Sequence, residues 1–205
     1  QNRLQEQRLR ISRDLHDNIG SQLTFIISSI DNLKYRLKDA DSVILDKLSS
    51  ISAFTSTTIN ELRDTIWAMN KEEISVEDLQ TRISNFIERA QSSKDEVQFG
   101  FSYKNEGPDN FAFTAIEGVN IYRIIQEAVN NALKYAQAQH INVSLFTRDS
   151  ATYRVSIVDD GKGFDMLHAT LGNGLANMKK RAQDINAKIE ISSNQPGGTK
   201  VLLES

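Results

Sequence analysis

Residues 10–37 read RISRDLHDNIGSQLTFIISSIDNLKYRL, and their spacing decides the first half of the fold. Ile11, Leu15, Ile19, Leu23, Ile26, Ile30, Leu33 and Leu37 recur at steps of three and four. That is the repeat of one face of an α-helix. No proline interrupts the run, so the spacing predicts one helix from near Leu4 to Leu37. Lys38–Ser42 is polar and reads as a turn, with Asp41 or Ser42 capping a second helix. In that helix Ile44, Leu48, Ile51, Thr55, Thr58, Leu62, Ile66 and Met69 repeat the stripe. Two long helices joined by a short loop lie antiparallel. Such a hairpin cannot bury two long, narrow stripes alone. A two-fold homodimer forming a four-helix bundle buries both. Packing of the hairpin on the rest of its own chain is the other solution.

Glycine placement separates this region from the second half of the chain. Of 10 glycines in 205 residues, only Gly20 precedes Gly100, and the 2 prolines are Pro108 and Pro196. The first hundred residues lack chain breakers and should be mostly helix. Around Asn70–Glu73 the pattern stops, which reads as a linker over 71–75 between a hairpin at 1–70 and a second domain at 76–205. In that domain Val76–Ala90 and Ala115–Ala136 read as helices, and Glu96–Tyr103 alternates like a strand. Strands at Ile141–Thr147 and Tyr153–Val158, a helix Leu175–Ile185, and a hairpin of Lys188–Ser192 with Thr199–Leu203 complete it. The expectation is an all-α helical hairpin followed by an α/β two-layer sandwich, one mixed sheet with helices on one face.

Composition excludes several classes. With 0 Cys there are no disulfides, no thiol nucleophile and no thiolate metal site. The 3 histidines are too sparse for a His-based metal site. A net charge of −3 gives no global field for nucleic acid or anionic lipid. No apolar run approaches the ~20 residues that cross a bilayer. The chain starts at Gln1 rather than Met, which reads as a piece of a longer protein.

Four segments carry chemistry. His16 comes next after stripe residue Leu15 and so lies at the margin of the apolar face, with Asp17 beside it. Gly20 lies one turn on, at a cost of ~1 kcal/mol relative to Ala, and would leave clearance beside the imidazole. In Gln126–Ala136, Glu127, Asn131, Lys134 and Tyr135 fall on one helix face. Oxygens of Glu and Asn suit Mg²⁺, and Lys suits phosphate. Val155–Val158 then runs into Asp159-Asp160-Gly161-Lys162-Gly163-Phe164, a strand ending in carboxylates and glycines that let a ligand approach the backbone closely. Gly172-Asn173-Gly174 precedes Leu175 at a helix N-terminus, where amides favour phosphate.

Taken in order, Leu15-His16-Asp17, Glu127…Asn131, Asp159-Asp160-Gly161-x-Gly163-Phe164, Gly172-x-Gly174-Leu175 and Gly198-Thr199 resemble the boxes of bacterial two-component sensor histidine kinases. The Arg-x-Leu-His-Asp form resembles the subclass that serves regulators with helix-turn-helix output domains. The second half also resembles the wider gyrase, Hsp90 and MutL ATPase superfamily, with its Bergerat-type sandwich. The resemblance implies ATP and Mg²⁺ as cofactors. His16 would be the phosphoacceptor and Asp17 its orienting partner. Asn131, with Glu127, would hold Mg²⁺. Lys134 and Tyr135 would meet phosphate. Asp159 would read the adenine amine, and Gly161 and Gly163 would shape the pocket. Residues 165–171 would be a lid, with Gly172, Gly174 and Leu175 at its hinge and phosphate contact. Thr199 would close the adenine pocket. The implied partners are a second copy of the chain and a response regulator, without direct nucleic-acid contact. The implied setting is cytoplasmic, as the kinase portion of a larger sensor, with anchoring of that parent in the inner membrane left open.

Two positions depart from the family pattern. Tyr135 stands where the family usually has His after the second-box Lys; a phenol can bond phosphate but carries no positive charge. Ser21 stands five residues after His16, where many relatives have the Gln that positions water for dephosphorylating the partner. Here the Gln is Gln22, a rotation of ~100° further round the helix, which predicts weak phosphatase activity. Trp67 either links the two modules or packs within the bundle. His140 and His168 read as ordinary surface or strand-edge residues. A superfamily ATPase, an anti-sigma type serine kinase or a pseudokinase remain alternatives. The His16 box argues against the first two, and the intact Asn131, Asp159 and Gly161 argue against the third.

Overall fold

The computed structural model describes residues 2–37, 41–94, 96–164, 173–193 and 197–205. The chain divides into two compact units, Gln1–Glu72 and Glu73–Ser205.

The first unit is a helical hairpin. Its first arm comprises α1 (Asn2–Asp14), a π-helical turn at Leu15–Gly20, and α2 (Ser21–Arg36). The second arm is α3 (Ser42–Met69). Asp41 caps α3, its carboxylate accepting the Val43 N–H at 3.1 Å. The stripe is helical as its spacing predicts, with one feature that spacing does not reveal. At His16 the backbone widens from i→i+4 to i→i+5 bonding, a form that clusters at functional sites. Among the described residues, the buried apolar side chains of the hairpin are Ile30 and Ile59. Phe25, Leu33, Ile44, Ile51 and Phe54 of the same helices are exposed.

The second unit starts at once with a strand. The sequence assigns 71–75 to a linker, but Glu73–Ser75 form β1, paired antiparallel with β3 (Ala112–Thr114). Three-residue strands are too short for an alternation pattern to show. Next comes helix α4 (Val76–Ser93), capped by Ser75, whose hydroxyl accepts the Asp78 N–H at 3.1 Å. The main sheet has five strands: β2 (Gln98–Asn105), β4 (His140–Thr147), β5 (Tyr153–Asp159), β6 (Lys188–Ser193) and β7 (Thr199–Glu204). Their spatial order is β2-β4-β5-β7-β6, with β2 and β4 parallel and the other pairs antiparallel.

Alternation sets the faces of this sheet. Ile141, Val143 and Leu145 of β4, Val155 and Ile157 of β5, and Val201 and Leu203 of β7 are buried on one side. There α4, α5 (Ala115–Asn131) and α6 (Asn173–Asp184) contribute Ile83, Ile121, Ile125, Val129, Met178 and Ala182 to the same core. Phe113 and Tyr153 meet edge to face at 5.3 Å between ring centroids. The mixed sheet with helices on one face is therefore as the sequence predicts.

Candidate active site

Helix α5 begins at a capping box. The Thr114 hydroxyl accepts the Glu117 N–H at 3.2 Å, and the Glu117 carboxylate accepts the Thr114 N–H at 2.8 Å. With its start fixed, α5 presents Glu127 and Asn131 one turn apart, and the Asn131 amide donates to Glu127 Oε1 at 3.2 Å. Beyond Asn131 the helix widens into a second π-helical turn, Ala132–Ala136, which carries Lys134 and Tyr135. It ends at Gln137 in a left-handed conformation, φ 54°.

The Gly-rich loop after β5 packs against that end. A side chain at Gly161 would collide with Ala136, so only glycine fits there. The Lys162 N–H donates to the Ala136 carbonyl at 2.9 Å. Gly163 has φ 64°, a left-handed turn that suits glycine. Strand register sets Asp159 directly opposite Thr199 of β7. Asp159 is buried, and its carboxylate accepts the Gly161 N–H at 3.0 Å. Burial raises its pKa, against the opposing pull of the Gly161 and Thr199 donors. At the far wall, a side chain on Gly174 would collide with Glu127 Oε1, so the N-terminus of α6 sits directly on α5.

These elements enclose a cavity of about 710 Å³. Glu127, Asn131, Lys134, Tyr135, Asp159, Gly163, Gly174, Leu175 and Thr199, all singled out from sequence, line it. Gly161 shapes the loop from behind rather than lining the cavity. Lys162 and Phe164 line it too, although the sequence alone assigns them no role. Gly172, the lid at 165–171 and His168 lie outside the described residues. Among the described residues no cluster of three His, Cys, Asp or Glu forms a metal site.

His140 opens β4 at an exposed position, as a surface or strand-edge residue, and it also meets Asp160. Asp160 Oδ1 accepts the Gln139 and His140 N–H groups at 2.8 and 2.9 Å, and Asp160 Oδ2 meets His140 Nδ1 at 2.6 Å. The His140 N–H, then its imidazole, hold the Asp160 pKa below the usual carboxylate range. The second carboxylate of the acidic pair thus ties the Gly-rich loop to the start of β4. The sequence carries the signal as a His opening a strand and an acidic loop, but only strand pairing brings the two together.

The other site residues lie in the first unit. His16 Nδ1 meets Asp17 Oδ1 at 3.1 Å, and both side chains are exposed. His16, Gly20, Ser21 and Thr24 of the first arm and Arg63 of the second line a cavity of about 460 Å³. A Cβ at Gly20 would meet nothing within 4 Å, in keeping with a glycine that leaves clearance beside the imidazole. Ser21 lines this cavity and Gln22 does not.

Fold and site together define a helical hairpin with an exposed His-Asp pair, followed by a nucleotide-type α/β sandwich. A family model described as "Histidine kinase" matches residues 7–74. A second, described as "Histidine kinase-, DNA gyrase B-, and HSP90-like ATPase", matches residues 117–204. The sensor histidine kinase YxjM of Bacillus subtilis is 31% identical over 200 residues, covering 97% of this chain and 47% of YxjM. The sensor histidine kinase LiaS of the same organism is 26% identical over 202 residues, covering 97% of this chain and 53% of LiaS. In the solved structures, the Acinetobacter baumannii histidine kinase AdeS shares the fold. Its TM-score is 0.56 at 15% identity, over 89% of this chain and 95% of that one. The chain belongs to the sensor histidine kinase family. It spans about half the length of these two curated relatives.

Proposed function

We propose that this chain is a kinase core that transfers the γ-phosphoryl group of ATP to His16 and then to an aspartate of a response regulator. The observation that carries the reading is the 3.1 Å contact of His16 Nδ1 with Asp17. With Nδ1–H donated to the carboxylate, the ring is held as the tautomer whose Nε2 lone pair is free to attack. Nε2 bonds to the γ-phosphorus, the bond to the bridging oxygen breaks, and ADP leaves with that electron pair. The Nδ1 proton stays with the ring or passes to Asp17.

The cavity of the second unit would hold the nucleotide. Asp159 would accept from the adenine amine, with Thr199 beside it. Lys134 and Lys162 supply positive charge, and the N-terminus of α6 with Gly174 supplies backbone donors for phosphate. Asn131 uses its amide N–H on Glu127, which leaves the Asn131 carbonyl oxygen and the second Glu127 oxygen as hard donors suited to Mg²⁺. The ion would neutralise phosphate charge; the protein groups bind and align. Tyr135, 65% exposed, would add a hydrogen bond but no charge.

The same reading implies two partners: a second copy across the exposed apolar stripe, and a response regulator, of the helix-turn-helix output class by the form of the His16 box. The parent would be a larger sensor with its kinase portion in the cytoplasm. Incubation with γ-labelled ATP tests the central step. Acid-labile, base-stable label is expected on the chain, lost in His16→Gln with nucleotide affinity unchanged. Label that persists in His16→Gln would refute it.

A further inference from the structure

The cavity beside His16 contains a cation to which the phosphoacceptor chemistry assigns no task. Arg63 projects from α3 into the lining that His16, Gly20, Ser21 and Thr24 form from the other arm. Two of the three hydroxyl protons in the lining are already committed: Ser21 donates to the Asp17 carbonyl at 2.5 Å, and Thr24 to the Gly20 carbonyl at 2.8 Å, which leaves Ser28. Asp17 is held by His16. Among the described residues Arg63 has no ion-pair or hydrogen-bond partner. Ile59, buried, lines the same cavity and lowers its polarity.

A phosphoryl group on an imidazole nitrogen carries up to two negative charges on three oxygens. A single remaining hydroxyl, that of Ser28, is one neutral donor and does not match that charge. A guanidinium offers planar, bidentate donors matched to such oxygens. The open space at Gly20 leaves room for the group.

We propose that Arg63 binds the phosphoryl group carried by His16, engaging its oxygens as it arrives and holding it afterwards. This rests on His16 being the phosphoacceptor. Arg63 exchanges no proton or bond in the step; Nε2 gains the phosphorus and the donor's leaving group departs with the bonding pair.

The test uses the intact chain, Arg63→Gln and Arg63→Lys. Each is phosphorylated in two ways, with γ-labelled ATP and with potassium phosphoramidate, which needs no nucleotide site. Phosphorus NMR then tracks the second ionisation of the phosphoryl group against pH. A nearby cation favours the dianion, so its pKa should rise by about half a unit to one unit in Arg63→Gln and return in Arg63→Lys. The rate of His16 labelling from ATP should fall on the order of tenfold to a hundredfold in Arg63→Gln, with nucleotide affinity unchanged. Merely structural damage would not restore the ionisation on changing Gln to Lys. If Arg63→Gln is labelled at the wild-type rate and titrates like wild type, the Arg63 proposal fails and the phosphoacceptor reading stands. If neither donor labels His16 in the wild-type chain, the phosphoacceptor reading fails and this proposal with it.

Discussion

At single residues the acidic pair shows how neighbours with the same side chain take different tasks. Asp159 is buried and faces the cavity, whereas Asp160 is half-exposed and faces His140. Asp159→Asn keeps the shape but weakens the acceptor for an adenine amine. Nucleotide affinity should drop on the order of tenfold or more, since a site built to pair a donor loses most when the partner changes. Unchanged affinity by calorimetry would remove Asp159 from adenine recognition. Asp160 makes a pH prediction. Its folded pKa lies below the unfolded value, so its contribution to stability is present above about pH 4 and is lost as pH falls through the folded value. Being half-exposed, it is screened by water and the effect is small. Urea midpoints of wild type and Asp160→Asn should differ at pH 7, and the difference should shrink as pH falls below about 4; a constant difference would mean that the carboxylate's charge is not involved.

At the scale of elements, the periodic features are legible in the sequence and the irregular ones are not. The helical stripes, the alternating strands and the capping Asp41 come from spacing and side-chain chemistry. The two π-helical turns, at Leu15–Gly20 and Ala132–Ala136, do not, because the same residues serve i→i+4 and i→i+5 bonding equally well. Both carry residues singled out for chemistry. Most of the lining of the second unit's cavity is legible because its glycines and carboxylates lie in short runs. Arg63 and His140 are not, because each meets its site only through tertiary pairing. Two elements yield predictions. Gly198 has φ 79°, and a Cβ there would strike the Asp159 carbonyl. Gly198→Ala should cost about 1–3 kcal/mol by thermal unfolding and weaken nucleotide binding by shifting β7 from Asp159. The first arm yields the other. Since Ser21 and not Gln22 lines the His16 cavity, loss of phosphate from the regulator promoted by this chain should be slow and unaltered in Gln22→Ala. Fast, nucleotide-assisted loss that Gln22→Ala abolishes would refute this.

For the whole molecule the deciding quantity is apolar surface left in water. The second unit leaves few of its large apolar side chains fully exposed: among the described residues these are Ile116, Tyr135 and Val158. The hairpin does the opposite: Phe25 is 72% exposed and Phe54 73%, with Leu33, Ile44 and Ile51 exposed on the same helices. Exposed apolar side chains of that size on a helical hairpin fit the proposed interface with a second copy, and at ~25 cal/mol per Å² several of them would supply appreciable association energy. A two-fold axis places the same stripe on both sides and closes the assembly without a free apolar edge. Phe54→Glu puts a charge into that interface without touching either cavity. Sedimentation of the intact chain should show a dimer for wild type and a monomer for Phe54→Glu, with nucleotide affinity unchanged. If His16 is phosphorylated by the partner's nucleotide site, labelling should also become concentration-dependent in the variant; if by its own, labelling should survive dissociation. A wild-type chain that sediments as a monomer at concentrations on the order of tens of micromolar would leave the stripe to some other partner and would overturn the four-helix bundle.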